Sequence, residues 1–374
     1  MCAGRRQDGR SEKIAAEALT AEAGRGFASS MRMLRRLALA GLALTLVPAA
    51  VGACSSSKED SGPDLARAGE IHGADTWKDG TVLTGTVTIA PDANVEIAPG
   101  AKITVAEGAT LYVQGTLRAK AAANHARLST AAPGRWGGLI VSAGGKADLE
   151  GIELENGLLG IATATGAQES RFTEGSILNT LKPFVVSEGS KLTLTKVTAT
   201  TPEKVGPKEL SQSDVDGVLV ASRLDYEAFN SEGIAVRKQG DLDISDSSIH
   251  GKNGQDLIAA RGGKRIKITY STLIGAHCGV HVEPVEGVLP TFEIDHVTSD
   301  ANIYGITIYG SAAGPNMVTA SNFTGTAAWL DFQGDNGAIT FEGVYTKGEE
   351  IVLGGPIPKI QNKATAPYPD AKPR

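Results

Sequence analysis

Apolar and polar residues alternate in short bursts over most of this chain. Val95 and Ile97, Ile103 and Val105, and Leu111 and Val113 follow one another at a constant interval, with Gly100 and Gly108 at the turns between them. Each burst has the two-residue period of a strand with one buried face, closed by a glycine turn. Three bursts make one larger unit, and that unit recurs further on. An apolar element ends at Leu154, Ile177, Ala199, Ile249, Leu273, Ser299, Phe323 and Thr346, at nearly constant spacing with one double gap that Leu224 divides. Upstream of most copies lies a second strand, read in Gly138-Leu139-Ile140-Val141, Gly233-Ile234-Ala235-Val236, Gly279-Val280-His281-Val282 and Gly305-Ile306-Thr307-Ile308. No helical period intervenes. Strands repeated at this interval bury their apolar sides only by stacking turn upon turn, which predicts an all-β solenoid.

Charges test the register. Aligning Ile244, Ile268 and Ile294 puts Asp243, Lys267 and Glu293 in one column and Asp241 beside Arg265. Opposite charges on neighbouring strands favour that stacking. The motifs Gly115-Thr116-Leu117-Arg118-Ala119 and Arg135-Trp136-Gly137-Gly138-Leu139-Ile140-Val141 resemble the first coils of surface lipoproteins of the pectate-lyase-like superfamily. The resemblance implies a right-handed parallel β-helix, a single domain of about twelve coils over residues 77–350, with Trp77, Val82 and Leu83 starting its cap. It implies little about activity, because one such fold hosts lyases, hydrolases, adhesins and inert scaffolds. Residues 200–216, with Pro202 and Pro207, read as a loop leaving the coil. Residues 284–290 read as a lengthened turn. From 351 to 374 the chain is a Pro/Lys-rich tail, lying along the rod or disordered.

Ahead of the repeat the pattern changes to one apolar run, Leu37 to Val51, preceded by Arg32, Arg35 and Arg36. The run is too short for a comfortable membrane span and suits a signal peptide. It ends in Val51-Gly52-Ala53-Cys54, which resembles a bacterial lipobox, so residues 33–53 read as a lipoprotein signal and Cys54 as the acylated first residue. Residues 1–32 read as an upstream extension from a misplaced start. Residues 54–76, opening on Ser55-Ser56-Ser57-Lys58-Glu59-Asp60, read as a flexible tether. The resemblance places the protein in the bacterial cell envelope, held to a bilayer through Cys54. Ser55 lacks the acidic retention signal familiar from enteric bacteria, so the resemblance implies the outer membrane, on its periplasmic or its surface face.

Composition removes several classes. The chain has 36 Lys/Arg and 42 Asp/Glu, a net −6; residues 1–53 hold eight of the basic and four of the acidic residues, so the remainder stands at −10. That balance excludes nucleic acid and docking on anionic lipid headgroups. Of three cysteines, Cys2 precedes the cleavage point and Cys54 carries lipid, which leaves Cys278 with no disulfide partner.

Candidate chemistry falls on the outward side of the Gly-Ile-x-Val strands. With Ile234, Ile258, Val280, Ile306 and Ala328 inside, the outward row reads Ala235, Ala259, His281, Thr307 and Trp329, and the next row Arg237, Arg261, Glu283, Tyr309 and Asp331. Arg261, His281, Glu283, Tyr309, Trp329 and Asp331 form a candidate glycan-binding strip, aromatic rings meeting sugar faces while charges hold polar groups. An envelope protein is the other partner class. A lyase on this fold would need several stacked acids for Ca²⁺. Only Glu283, Asp331 and Asp335 lie near the strip, so no catalytic set, metal or other cofactor is assigned, and Ca²⁺ enters only if the protein is a polysaccharide lyase. A glycoside hydrolase is the remaining enzyme alternative. His277 and His281 share one face of a straight strand about 13 Å apart, too far for one ion unless the chain bends at Gly279.

Overall fold

Each turn of the chain lays down short strands that pair in parallel with the turns before and after it. The computed structural model describes residues 65–130, 134–206, 210–229, 232–237, 239–284, 290–310, 316–334, 339–353 and 358–374. Among them there is no helix, and the repeat makes a parallel solenoid of about eleven turns. Cys54 and its leader, the 284–290 turn from residue 285 to 289, and Asp335 lie outside the described residues.

Three ladders run through the turns. The first passes through Asn94–Ile97, Thr116–Lys120 and Lys146–Glu150 to Asp241–Ser245 and Arg265–Ile274. The second begins Lys102–Val105, Ala126–Thr130, Ile152–Glu155. The third passes through Leu159–Thr163, Lys182–Val186, Ser213–Val215, Ile234–Val236, Asp256–Arg261 and Cys278–Glu283, then residues 304–309 and 328–333. The charge columns stand as the sequence predicts: Asp243 pairs in register with Lys267, Lys267 with Glu293, and Asp241 with Arg265. Their ion pairs are half-exposed, Arg265 Nε to Asp241 Oδ1 at 3.0 Å and Lys267 Nζ to Glu293 Oε1 at 3.0 Å. Such pairs stabilise by a few tenths of a kcal/mol each, roughly, so they mark the register and do not hold the rod. The core does that. Ile244, Ile268 and Ile294 are fully buried in one column, each worth roughly 1.5–3 kcal/mol of apolar burial.

One bend recurs on turn after turn without a loop. Glu174, Lys196, Arg223, Asp246, Tyr270, His296 and Ala320 all have positive φ, between 42° and 54°, and successive registers stack them in a single line. A left-handed residue there turns a continuous strand from the first ladder into the second, as in Ser170–Leu178, which pairs with Lys146–Glu150 and with Ile152–Glu155. Each non-glycine residue so placed costs roughly 1–2 kcal/mol, which neighbouring turns offset by keeping both ladders paired.

Four boundaries differ from the sequence reading. Ala66–Ile71 and Ala74–Trp77 are strands paired with Val82–Ile89 and Asn94–Ile97, so residues 66–76 belong to the first turn and not to a tether. Their pattern hides this, because an end turn leaves most side chains exposed. Only Trp77 is fully buried, its Nε1 donating to Asp75 Oδ2 at 3.0 Å. Leu224 sits opposite Val197, and Tyr226 takes the place opposite Ala199, two positions later than the sequence repeat suggests. The tail continues the solenoid through Lys359–Gln361, paired with Ile339–Glu342, and then runs back along the bend. Asn322 exchanges two hydrogen bonds with the Tyr368 backbone, Thr298 Oγ1 donates to Ala371 O, and Arg374 lies 3.3 Å from the Tyr270 ring centre beside Asp246. The described residues between Thr200 and Ser213 contain no strand, but Ser213–Val215, read from the sequence as part of the 200–216 loop, is a strand of the third ladder, paired on both sides.

Candidate functional site

On the third ladder the outward positions align, turn by turn, as Asp214, Ala235, Ala259, His281, Thr307 and Asp331. The next outward row holds Arg261 beside Glu283 and Tyr309 beside Gln333. Five of the predicted strip residues, Arg261, His281, Glu283, Tyr309 and Asp331, therefore come together. Trp329 does not. The strand Asn322–Gln333 is irregular between residues 324 and 330, so Leu330 and not Ala328 stacks on Ile306. That slip of two positions moves Asp331 into line with Thr307, and Trp329, in the irregular stretch where alternation lapses, packs inward. Trp329 is 1% exposed, edge-on to Phe341 at 5.5 Å, with Lys363 over its ring and Nε1 donating to Glu350 Oε1 at 3.3 Å. It is a core residue, not a sugar platform.

The face is also more closed than alternation alone implies. Ala235, Ala259, Thr307 and Asp331 point outward yet are buried. The exposed rim is Arg261, Glu283 and Tyr309, all half-buried.

Two acids absent from the sequence reading complete the site. Because Ile234 pairs with Ile258, the residues two places earlier, Glu232 and Asp256, occupy adjacent turns, both buried. Arg261 bridges Glu283 and Glu232, its Nε donating to Glu283 Oε1 at 2.7 Å and its Nη2 lying 2.5 Å from Glu232 Oε1. His281 Nδ1 lies 2.8 Å from Asp256 Oδ2, and its Nε2 is 3.7 Å from Glu283 Oε2. Tyr309 stands edge-on to the His281 ring at 5.2 Å and donates its hydroxyl to Asp331 Oδ2 at 2.9 Å. Extending the column two places upstream of the Gly-Ile pattern finds Glu232 and Asp256. They precede the apolar pair, where alternation assigns no face.

Burial and pairing set the protonation states. Burial alone would lower the His281 pKa, but the hydrogen bond and charge of Asp256, with Glu283 behind, raise it above the ordinary histidine value. Burial lifts the Glu232 carboxyl above its usual range against the pull of Arg261. Burial first, and then Asp331, pushes up the Tyr309 phenol. Burial likewise pushes up the Cys278 thiol, which donates to Thr307 Oγ1 at 3.2 Å and is inert as a nucleophile. Further along the ladder burial would raise Asp214, yet Lys182 at 2.5 Å and Arg237 at 3.1 Å outweigh it and hold its carboxyl low. Within this site two buried atoms, Asp256 Oδ1 and His281 Nε2, have no hydrogen-bond partner.

The chain bends through residues 275–277, before Gly279, and this brings His277 Nδ1 within 3.7 Å of Asp256 Oδ1. Both histidines thus approach one carboxylate, nearer than a straight strand allows. Among the described residues no group of three or more His, Cys, Asp or Glu side chains could hold a metal ion.

No family model and no curated protein matches the chain. Among solved structures it is similar to the catalytic unit of thermostable GH87 alpha-1,3-glucanase from Streptomyces thermodiastaticus strain HF3-3, at a TM-score of 0.40 and 12% identity, over 76% of this chain and 60% of that chain. The chain spans 60% of the length of that structure, and a likeness of this degree carries neither activity nor residue roles across.

Proposed function

We propose that this protein is a cell-envelope solenoid that binds a glycan or protein partner without turning it over, tethered by acylated Cys54. One observation carries the non-catalytic part: the ionic groups along the half-buried rim of the outward face pair with one another. Arg261 is held between Glu232 and Glu283, and Asp331 accepts from Tyr309. A set paired in this way rigidifies a face and keeps its charges engaged with one another. The lipobox Val51-Gly52-Ala53-Cys54 supports the anchor, and its place before a polar stretch supports an envelope location.

The test of binding against turnover is a glycan array paired with an unsaturated-uronate absorbance assay and a reducing-sugar assay, with and without Ca²⁺. Retention without product supports the proposal, and product formation overturns it. Radiolabelled palmitate incorporated by the wild type and lost in Cys54→Ala tests the anchor separately. A second reading, a glycoside hydrolase or polysaccharide lyase, is favoured by Glu232, whose buried carboxyl takes up protons more readily than usual beside Asp256 on the next turn. Perturbed carboxyls of this kind concentrate at catalytic sites. Turnover abolished by Glu232→Gln in a folded variant would establish that reading.

A further inference from the structure

Where the second ladder hands over to the third, Gln255, His277 and Ile303 line up on three adjacent turns, each directly before the paired residues Asp256, Cys278 and Tyr304. All three are exposed, and Ile303, at 43%, is one of four exposed large apolar side chains among the described residues. With Asn253, Ala276 and two glycines they line a cavity of about 420 Å³, within the size range of small-molecule sites. His277 lines one side of it. One side of the imidazole stands edge-on to Tyr304 at 5.2 Å, and Nδ1 is 3.7 Å from Asp256 Oδ1. That oxygen belongs to a side chain only 5% exposed and has no hydrogen-bond partner.

We propose that this cavity seats a neutral sugar residue of a glycan chain. The inference rests on the glycan-binding reading above and gives it a place and a ligand class. Among the described residues lining it there is no Lys or Arg, and Asp256 stands behind it, so an acidic sugar meets one like charge and no counter-charge among them. The amides of Asn253 and Gln255 offer both donors and acceptors, the pattern that hydroxyl groups require. An imidazole whose Nδ1–H turns toward Asp256 keeps Nε2 free to accept from a hydroxyl. Ile303 supplies the apolar patch against which the C–H face of a pyranose packs. A ligand that turns His277 toward Asp256 would close the 3.7 Å gap between Nδ1 and Oδ1 to hydrogen-bond distance. Such binding would satisfy an oxygen that is otherwise buried and unpaired, a group that is costly to leave so.

The experiment is titration calorimetry of the chain from Cys54 onward with maltohexaose, laminarihexaose, cellohexaose and hexagalacturonate, repeated on Gln255→Ala and Ile303→Asp. The expected result is binding of a neutral hexasaccharide, weakened about tenfold or more by each substitution, a loss of about 1.4 kcal/mol each, with melting temperature unchanged. Neutral binding that both variants retain would overturn the cavity while leaving glycan recognition intact. Preference for hexagalacturonate would also overturn it. Absence of binding by all four sugars would sink this inference together with the glycan reading, leaving a protein partner.

Discussion

Replacing Arg261 with Met should destabilise the solenoid by an amount that grows with pH. Arg261 is the cation between Glu283 and the buried Glu232, and the methionine keeps most of its apolar stem. Removing one partner of a fully buried ion pair costs about 3–5 kcal/mol. Here the Arg261 side chain is 35% exposed, so solvent screens the pair and the figure falls to about 2 kcal/mol at pH 8. Glu232 already has a folded-state pKa above its unfolded value, because burial disfavours the charged form. A group raised in this way contributes stability that is full below the unfolded pKa and lost as pH rises through the folded one. Without Arg261 that folded pKa climbs further, so the variant is penalised little near pH 4.5 and increasingly toward pH 8. Differential scanning fluorimetry from pH 4.5 to 8 reads the effect directly, with about 2 kcal/mol corresponding to a melting shift of roughly 3 °C in a solenoid of this size. Adding Glu232→Gln to Arg261→Met should recover most of the loss, since an amide is cheaper to bury than a carboxylate. A penalty that is flat across this pH range, or one that the second substitution leaves untouched, would refute the placement of Glu232 and Arg261 as a buried pair.

Trp329→Ala should cost about 3–5 kcal/mol in thermal unfolding, because a fully buried ring is removed from between Phe323 and Phe341; a near-neutral change would restore it to the surface. Native Cys278 should resist iodoacetamide until the chain is denatured, since its thiol is buried and its thiolate disfavoured, and rapid native labelling would contradict this. Deleting residues 364–374 should speed amide exchange around Thr298 and Asn322, which lose the Ala371 and Tyr368 contacts, while turns near Asn94–Ile97 exchange as before. Uniform loosening of all turns would show that the tail acts on the whole rod and not locally.

The solenoid could be read from this chain because its repeat is a local property: period-two alternation and glycine turns recur at nearly constant spacing, and any uninterrupted stretch places Asp243, Lys267 and Glu293 in one column. The candidate strip was legible to the same extent. Arg261, His281, Glu283 and Tyr309 lie where strand phase carries forward without interruption. The phase failed where backbone irregularity enters, between residues 324 and 330, and there a slip of two positions exchanged Trp329 for Asp331. Glu232 and Asp256 stayed hidden for a related reason, since both stand at the entrance to a strand where alternation has not begun. The end turn at Ala66–Ile71 escaped because its side chains face solvent and leave no apolar signature.

Sequence alone therefore determined the all-β solenoid and its register over the regular turns. Tertiary structure decided which outward residues are buried, which acids Arg261 and His281 meet, and that residues 364–374 fold back along the bend. The physical reason is one of range. Side-chain alternation is set by the pleat of a single strand, whereas burial, ion pairing and the docking of the tail depend on chain segments a full turn or more away, whose contribution no local pattern encodes.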